Sequence, residues 1–353
     1  MSRLTLLLPL LAGLLVAVGL WGQASVSPGE LDRQLMALAL ALLLAVGLLR
    51  LGLARLLAWR WGLYLGAVVL LLLVRVAGTE VNGAQSWLAL GPLPAFQPSE
   101  LVKLALLLVL PSVLAKRALS GPLSYILPLV AILLPVGLIL LEPDLGSALV
   151  IMALGLGLVL VRGLPRLHLL LAGLVVLVGL PGGVWPNLEP HQRARLVSFL
   201  EPGSDPLGSG YQVIQARIAV GSGGLWGQGY GAGTQTHLGF VPYPATDFIF
   251  SVLAEEGGFL LAGGLLILYG ALFATLALMA QRCPRLRDRL LISGVLLLVG
   301  VQTLVNLAMT LGLAPVTGIT LPLVSYGGSS LLTTLLALAA ALVCYRQRHL
   351  HPS

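Results

Sequence analysis

The chain has 353 residues, 58% hydrophobic and 9% charged, with a net charge of +7 and a mean hydropathy of +1.00. A soluble domain carries roughly a quarter charged residues, so this composition excludes a water-soluble fold and with it a soluble nucleic-acid binder. Its two cysteines, Cys283 and Cys344, exclude a disulfide scaffold and a cysteine metal centre.

Apolar runs of about 20 residues recur along the chain, each long enough to cross ~30 Å of hydrocarbon. The first, from Leu4 to Trp21, exceeds the apolar core of a cleaved signal, and no small-residue cleavage site follows it. It is therefore read as a span over 4–22, and further spans are expected over 34–49, 61–77, 99–115, 123–141, 145–161 and 167–181. A 65-residue connection, 182–246, comes next, and the last three spans cover 247–280, 289–311 and 323–345. The expected fold is an all-α polytopic bundle of about ten transmembrane helices, one membrane domain over 1–353 with a single large outer loop. Structureless loops of that length are seldom idle. Inside it, "YQVIQARIAVG" mixes apolar and polar positions as a short interfacial helix would. A second short helix is expected from His191 to Leu200.

Placing the N-terminus in the cytoplasm puts fourteen of the twenty basic residues at inner loops and ends, and four in or near outer loops: Arg33, Arg193, Arg195 and Arg217. Basic residues favour the cytoplasmic side, so both termini are expected inside. The positive charge is thus a topology signal. Ten of the thirteen acids then lie at outer positions, either displaced there by the basic residues or gathered for chemistry.

Five polar segments open to that outer side: "NGAQSWLALGPLPAFQPSELVK" (82–103), "EPDLGS" (142–147), "RARLVSFLEPGSDPLGSGYQ" (193–212), "GSGGLWGQGYGAGTQ" (221–235) and "GLAPVTGITLPLVSYGGSS" (312–330), the last including Ser325. Distant segments brought to one face of a bundle are how a cleft forms between helices. Asp247 falls at the mouth of the eighth span, with Thr246 as a cap; it is either a first-turn acid favoured by the helix dipole or a general base at the membrane–water boundary. Glu255 follows eight residues later, about 80° around a helix and ~12 Å deeper. It could share a cavity with Asp247 as a proton relay, or be a buried, paired carboxylate. Glu100 and Lys103, three apart, share a face and serve either as an ion pair or as an anion-binding pair. Glu142 and Asp144 flank Pro143 in a tight turn that is either plainly acidic or able to hold Mg²⁺ with phosphate oxygens. Arg193, Arg195 and Arg217 fit a diphosphate or lipid headgroups equally well. Trp87 is either an interfacial belt residue or a platform for a sugar or lipid. The glycine-rich stretch 221–233 lacks the Lys-Ser/Thr ending of a phosphate-binding loop.

Taken together, "NGAQSWL", "QPSELVK", "EPDLGS", "DPLGSGYQ", "IAVGSGGLWGQGYGAGTQ", "TDFIFSVLAEEGG" and "LPLVSYGGSS" resemble the bacterial SEDS family (shape, elongation, division and sporulation), over nearly the whole chain. "NGAQSW", the "GTQ" at 233–235 and "PVTGITLP" are similar to its elongation branch. The resemblance implies a multi-pass protein of the bacterial inner membrane, with its active site facing outward. It implies a peptidoglycan glycosyltransferase that polymerises lipid II by inverting transfer from undecaprenyl-diphosphate-linked glycan to the N-acetylglucosamine 4-hydroxyl. Asp247 matches the family's essential aspartate; Glu100, Lys103, Glu142, Asp144 and Trp87 match its cavity and turn residues. Also implied are a class B penicillin-binding protein as transpeptidase partner and a divalent cation, Mg²⁺ or Mn²⁺, with no ligands assigned; no organic cofactor is expected. The family's P-E-x-H-T-D run reads here Pro242, Tyr243, Pro244, Ala245, Thr246, Asp247, so only the aspartate end carries over, and Ser147 stands where the family has Thr. Two rival functions remain at this stage. A lipid II flippase would need a polar path through the inner half of the bilayer, and a non-catalytic scaffold would leave the outer carboxylates without a task.

Overall fold

The structure, a computed structural model, describes residues 3–81, 84–90, 93–116, 122–163, 193, 199 and 209–348. Its helices are α1 Arg3–Val26, α2 Leu31–Leu51, α3 Leu53–Ala58, α4 Arg60–Ala77, α5 Pro98–Lys116, α6 Ile126–Leu140, α7 Leu145–Arg162, α8 Ser209–Ser222, α9 Thr234–His237, α10 Ile249–Gln281, α11 Leu286–Thr310 and α12 Gly328–Gln347. Eight of these segments are long and apolar enough to cross a membrane, and α6 is apolar but shorter. Nine of the ten expected spans coincide with helices; the expected span at 167–181, most of the expected helix at 191–200 and much of the 182–246 loop lie outside the described residues.

Local chemistry sets the breaks. Pro28 opens the 3₁₀ turn ahead of α2, and Gly52, at φ 79°, separates α2 from α3. Pro98 starts α5, and the Asp144 carboxylate accepts the Ser147 N–H to cap α7. The expected interfacial helix is α8, which packs against α10 with Ala216 and Ala219 sealed inward.

The sequence reading did not anticipate the small sheet after α4. Strands β1 Thr79–Val81, β2 Ala84–Leu90 and β3 Leu93–Phe96 form an antiparallel meander in the order β1-β2-β3. Its signal was present: the run "AQSWLAL" flanked by "NG" and "GP" is the pattern of a strand between tight turns.

Helix α5 occupies the centre, against α4, α6, α7, α11 and α12, and nearly every residue from Pro98 to Leu114 is buried. Because protein surrounds it, Glu100 and Lys103 on its first turns face neighbouring helices, as charges in membrane segments normally do.

Helix α10 is kinked. Gly258 breaks it with φ 65° and ψ −166°, a conformation essentially confined to glycine. The opening lets the 223–229 backbone dock on the helix: Gln228 N–H donates to Glu255 O (2.9 Å), Gly229 N–H to Glu256 O (3.0 Å), and Phe259 N–H to Gly224 O (2.9 Å).

One end of the bundle collects the α1–α2 turn, the sheet, the starts of α5, α7, α10 and α12, and the end of α11, tied by Gln97–Asp144, Asn306–Asp247 and Tyr326–Glu30 hydrogen bonds. The opposite end collects arginines, among them Arg285 and Arg287 beside a cavity of about 330 Å³.

Candidate active site

A cavity of about 610 Å³ opens at the first end, lined by β2, the starts of α5 and α7, α8, the segment before α10, and the 316–330 loop. Trp87, Glu100, Lys103, Asp144 and Asp247 all line it. Four of the five polar stretches thus contribute to one hollow, with lining residues from Ser86 to Ser330; the 221–235 stretch contributes none.

The Lys103 ammonium donates to Glu100 Oε1 at 2.7 Å, and both side chains are almost fully buried. Glu100 Oε2 accepts no hydrogen bond among the described residues. An ammonium has three donors, so Lys103 can give one to Glu100 and still meet an anion.

Asp144 is held on both oxygens: Oδ1 accepts Ser147 N–H (2.9 Å) and Oδ2 accepts Gln97 Nε2 (3.0 Å). Ser99 Oγ donates to Ser147 Oγ at 3.3 Å. Glu142 does not share this arrangement. It is buried outside the cavity lining, and neither of its oxygens accepts a hydrogen bond among the described residues. Burial, reinforced by the nearby Asp144 charge and opposed by Arg75, pushes its carboxyl up to about 8. The two acids therefore do not converge on the cavity.

Asp247 is half-buried in a turn two residues before α10. Its position departs from the expected cap: the helix begins at Ile249 with Phe248 as N-cap and no side-chain cap bond, and Thr246 Oγ1 instead donates to Tyr243 O. Beside Asp247 sits Gly318, at φ +70°, where an added Cβ would lie 3.7 Å from Asp247 Oδ2. Three successive carbonyls of this turn are held. Tyr326 N–H donates to Ala245 O (2.8 Å), Ser325 Oγ to Thr246 O (2.5 Å), and Asn306 Nδ2 to Asp247 O (2.8 Å). Ser325 is thus a backbone clasp and lies outside the cavity lining; its Oγ also accepts Leu321 N–H.

Of its two readings, Glu255 follows that of a buried, paired carboxylate. It does not line the cavity; its oxygens accept the Gln235 and Thr236 N–H groups (2.7 and 3.1 Å) at the start of α9. A helix start leaves N–H groups unpaired, and this carboxylate satisfies two of them. Glu256 accepts from Ser25 Oγ (2.5 Å) and meets His237 Nε2 (2.9 Å). Both acids fasten the glycine-rich loop to the bundle.

Of the three arginines, the two that are described do not line the cavity. Arg217 is exposed on α8 against Gly312, and Arg193 is not among the cavity-lining residues; Arg195 lies outside the described residues. Residue-by-residue reading missed Gln97, Gln302, Thr317 and Tyr326, which line the cavity. Gln97 precedes Pro98, a helix-opening position that marks it as a boundary residue, and Gln302 is one of two amides, with Asn306, in an apolar span.

The family described as cell cycle protein, FtsW/RodA/SpoVE, matches residues 2–349. Peptidoglycan glycosyltransferase MrdB of Escherichia coli (strain K12) is 36% identical over 330 residues, covering 93% of this chain and 89% of that protein. Stage V sporulation protein E of Bacillus subtilis (strain 168) is 36% identical over 292 residues, covering 80% and 79%. Among solved structures, a chain from a peptidoglycan synthase complex that coordinates polymerization and crosslinking is similar at TM-score 0.86 and 46% identity, over 98% of both chains. The Thermus thermophilus rod shape determining protein RodA is similar at TM-score 0.74 and 41% identity, over 97% of this chain and 96% of that one.

Proposed function

The chain belongs to the FtsW/RodA/SpoVE cell cycle protein family, and from that premise we propose that it is a peptidoglycan glycosyltransferase that polymerises lipid II. The observation that carries this reading is the shared cavity of Asp247, Glu100, Lys103, Asp144 and Trp87. An inverting transfer needs a base on the acceptor hydroxyl and charge stabilisation at the leaving group. Asp247, half-buried at the cavity edge, takes the proton from the 4-hydroxyl of lipid II. The freed oxygen attacks the anomeric carbon of the donor glycan, and the bond to the lipid diphosphate breaks with its electron pair on the departing phosphate. Lys103, on the α5 wall, meets that diphosphate, Asp144 and Glu100 hold the wall, and Trp87 offers a face to a sugar ring.

A divalent cation fits this chemistry in one respect. Among the described residues no three His, Cys, Asp or Glu side chains cluster, yet Mg²⁺ is commonly held by one or two carboxylates plus substrate phosphates. Asp144 and the unpaired Glu100 oxygen are the groups that would hold it, and the ion would offset diphosphate charge.

The basic end of the bundle supports cytoplasmic termini and an outward cavity. The "NGAQSW" and "PVTGITLP" runs support a role in elongation and rod shape. The similar chain in a peptidoglycan synthase complex supports a class B penicillin-binding protein as partner.

Polymerisation of purified lipid II by the protein with its partner tests this. Asp247→Ala and Asp247→Asn should fold, bind the partner and make no glycan. Wild-type polymer from Asp247→Ala would refute the proposed base. Movement of labelled lipid II across vesicles without polymer would replace the enzyme with a flippase.

A further inference from the structure

Resting on the assignment of Asp247 as base, we propose that Asn306 is a positioning residue that aims the Asp247 carboxylate into the cavity. Asn306 lies on α11, one turn beyond Gln302 of the cavity wall, and is fully buried. Its Nδ2 donates to Asp247 O at 2.8 Å and to Ile319 O at 2.7 Å. Both partners are carbonyl oxygens, which only accept, so only the amide nitrogen can face them and the side chain has a single sensible orientation. Its Oδ1 accepts nothing among the described residues, so the residue's polar work is donation to these two carbonyls.

The two acceptors belong to two neighbouring segments of the cavity lining. One is the carbonyl of Asp247 itself, the last of three consecutive carbonyls held in the turn before α10. The other belongs to Ile319, adjacent to Gly318, the residue facing Asp247 Oδ2. One amide nitrogen therefore ties the backbone of the base to the Gly318–Ile319 segment beside it. With Thr246 O held by Ser325 and Asp247 O by Asn306, the peptide planes on both sides of the Asp247 Cα are pinned, and the direction of its side chain with them. Misplacement of a reacting group by about 1 Å costs on the order of 100-fold in rate. Asparagine suits the task because aspartate, of the same shape, has no hydrogen to donate, and alanine leaves two buried carbonyls unpaired.

The test measures kcat and KM for polymerisation of fluorescent lipid II by the full chain with its partner, normalised to folded protein, for Asn306→Asp, Asn306→Ala and Asn306→Ser. The expected result is a fall in kcat of roughly 10- to 100-fold for Asp and Ala, with KM changed less than about threefold. The Ser variant, which retains one donor, should recover part of the loss. A merely structural role lowers the folded fraction and leaves kcat per folded molecule unchanged. Wild-type kcat in folded Asp or Ala protein, or an effect on KM alone, overturns the proposal, and so does failure of all three variants to fold. Asp247→Asn run alongside separates the two readings. If it polymerises normally, the assignment of the base fails; if it is inactive while the Asn306 variants are normal, only the positioning role fails.

Discussion

Replacing Lys103 by methionine isolates the buried pair at the head of α5. In the wild type, Glu100 Oε1 accepts from the ammonium at 2.7 Å, while Oε2 already accepts nothing among the described residues. Lys103→Met therefore removes the one bond this carboxylate is seen to accept and leaves it in a site where its side chain is 6% exposed. Breaking a buried pair from one side costs about 3–5 kcal/mol, roughly two to four powers of ten in the folding equilibrium. Glu100→Gln keeps an acceptor for the ammonium and should cost less, about 1–3 kcal/mol. The combined Glu100→Gln/Lys103→Met variant buries no charge there and should recover most of the stability, so that the two single losses, roughly 4–8 kcal/mol together, do not add. Unfolding of the four proteins in detergent micelles measures the cycle, and lipid II polymerisation by the same preparations measures function. If Lys103→Met lies within about 0.5 kcal/mol of wild type, the pair is open to water and the burial reasoning is wrong. If the combined variant regains both stability and polymerisation, the pair holds helices together and meets no substrate.

Three further outcomes follow. Gly258→Ala places a side chain in a glycine-only conformation, with its Cβ 2.6 Å from Leu225 O, and should cost about 3 kcal/mol or more. Gly264→Ala on the same helix meets nothing within 4 Å and should be neutral or stabilising by up to ~1 kcal/mol; equal melting temperatures for the two would contradict the kink. Glu255→Ala unpairs the Gln235 and Thr236 N–H groups and should speed proteolysis within 228–240, whereas unchanged cleavage would show the loop is held by other means. Glu142, raised from an ordinary 4.5 to about 8, binds its proton more tightly in the folded state. Stability should therefore decline as pH rises from about 4.5 towards about 8. Glu142→Gln should flatten that decline in a pH series of unfolding measurements; an unchanged slope would remove Glu142 as its source.

Much of this architecture is legible in the sequence because lipid imposes a harsh filter. A helix crossing hydrocarbon must be apolar for about 20 residues, so span positions read directly, and any polar group inside one is conspicuous. Asp247, Glu100 and Lys103 stood out this way at span mouths, Asp144 and Trp87 through the polar connections between spans, and all five do share a cavity. Glu255 stood out for the same reason and is indeed paired, but unusual cost marks a residue with a partner without saying which. Its partners are backbone N–H groups of a loop twenty positions earlier, invisible to helical periodicity. Ser325 shows the complementary failure: its role is set by a carbonyl of a distant residue, and a hydrogen bond to backbone leaves no trace in side-chain identity; Asn306 is conspicuous as an amide in an apolar span, but its two carbonyl partners are not. The 79–96 sheet was passed over because its strands are short and lie between two spans, where helical connections were expected.

The hollow is walled by two separate stretches of chain, 86–150 and 212–330, and neither stretch alone encloses it. Glu100, Lys103 and Asp144 come from the first and Asp247 from the second, so chemistry that needs all of them cannot begin until the later helices have been inserted and seated on the earlier ones. A nascent or truncated chain ending before residue 326 would carry every acid named above yet lack Tyr326 and Ser330, leaving the hollow open on one side.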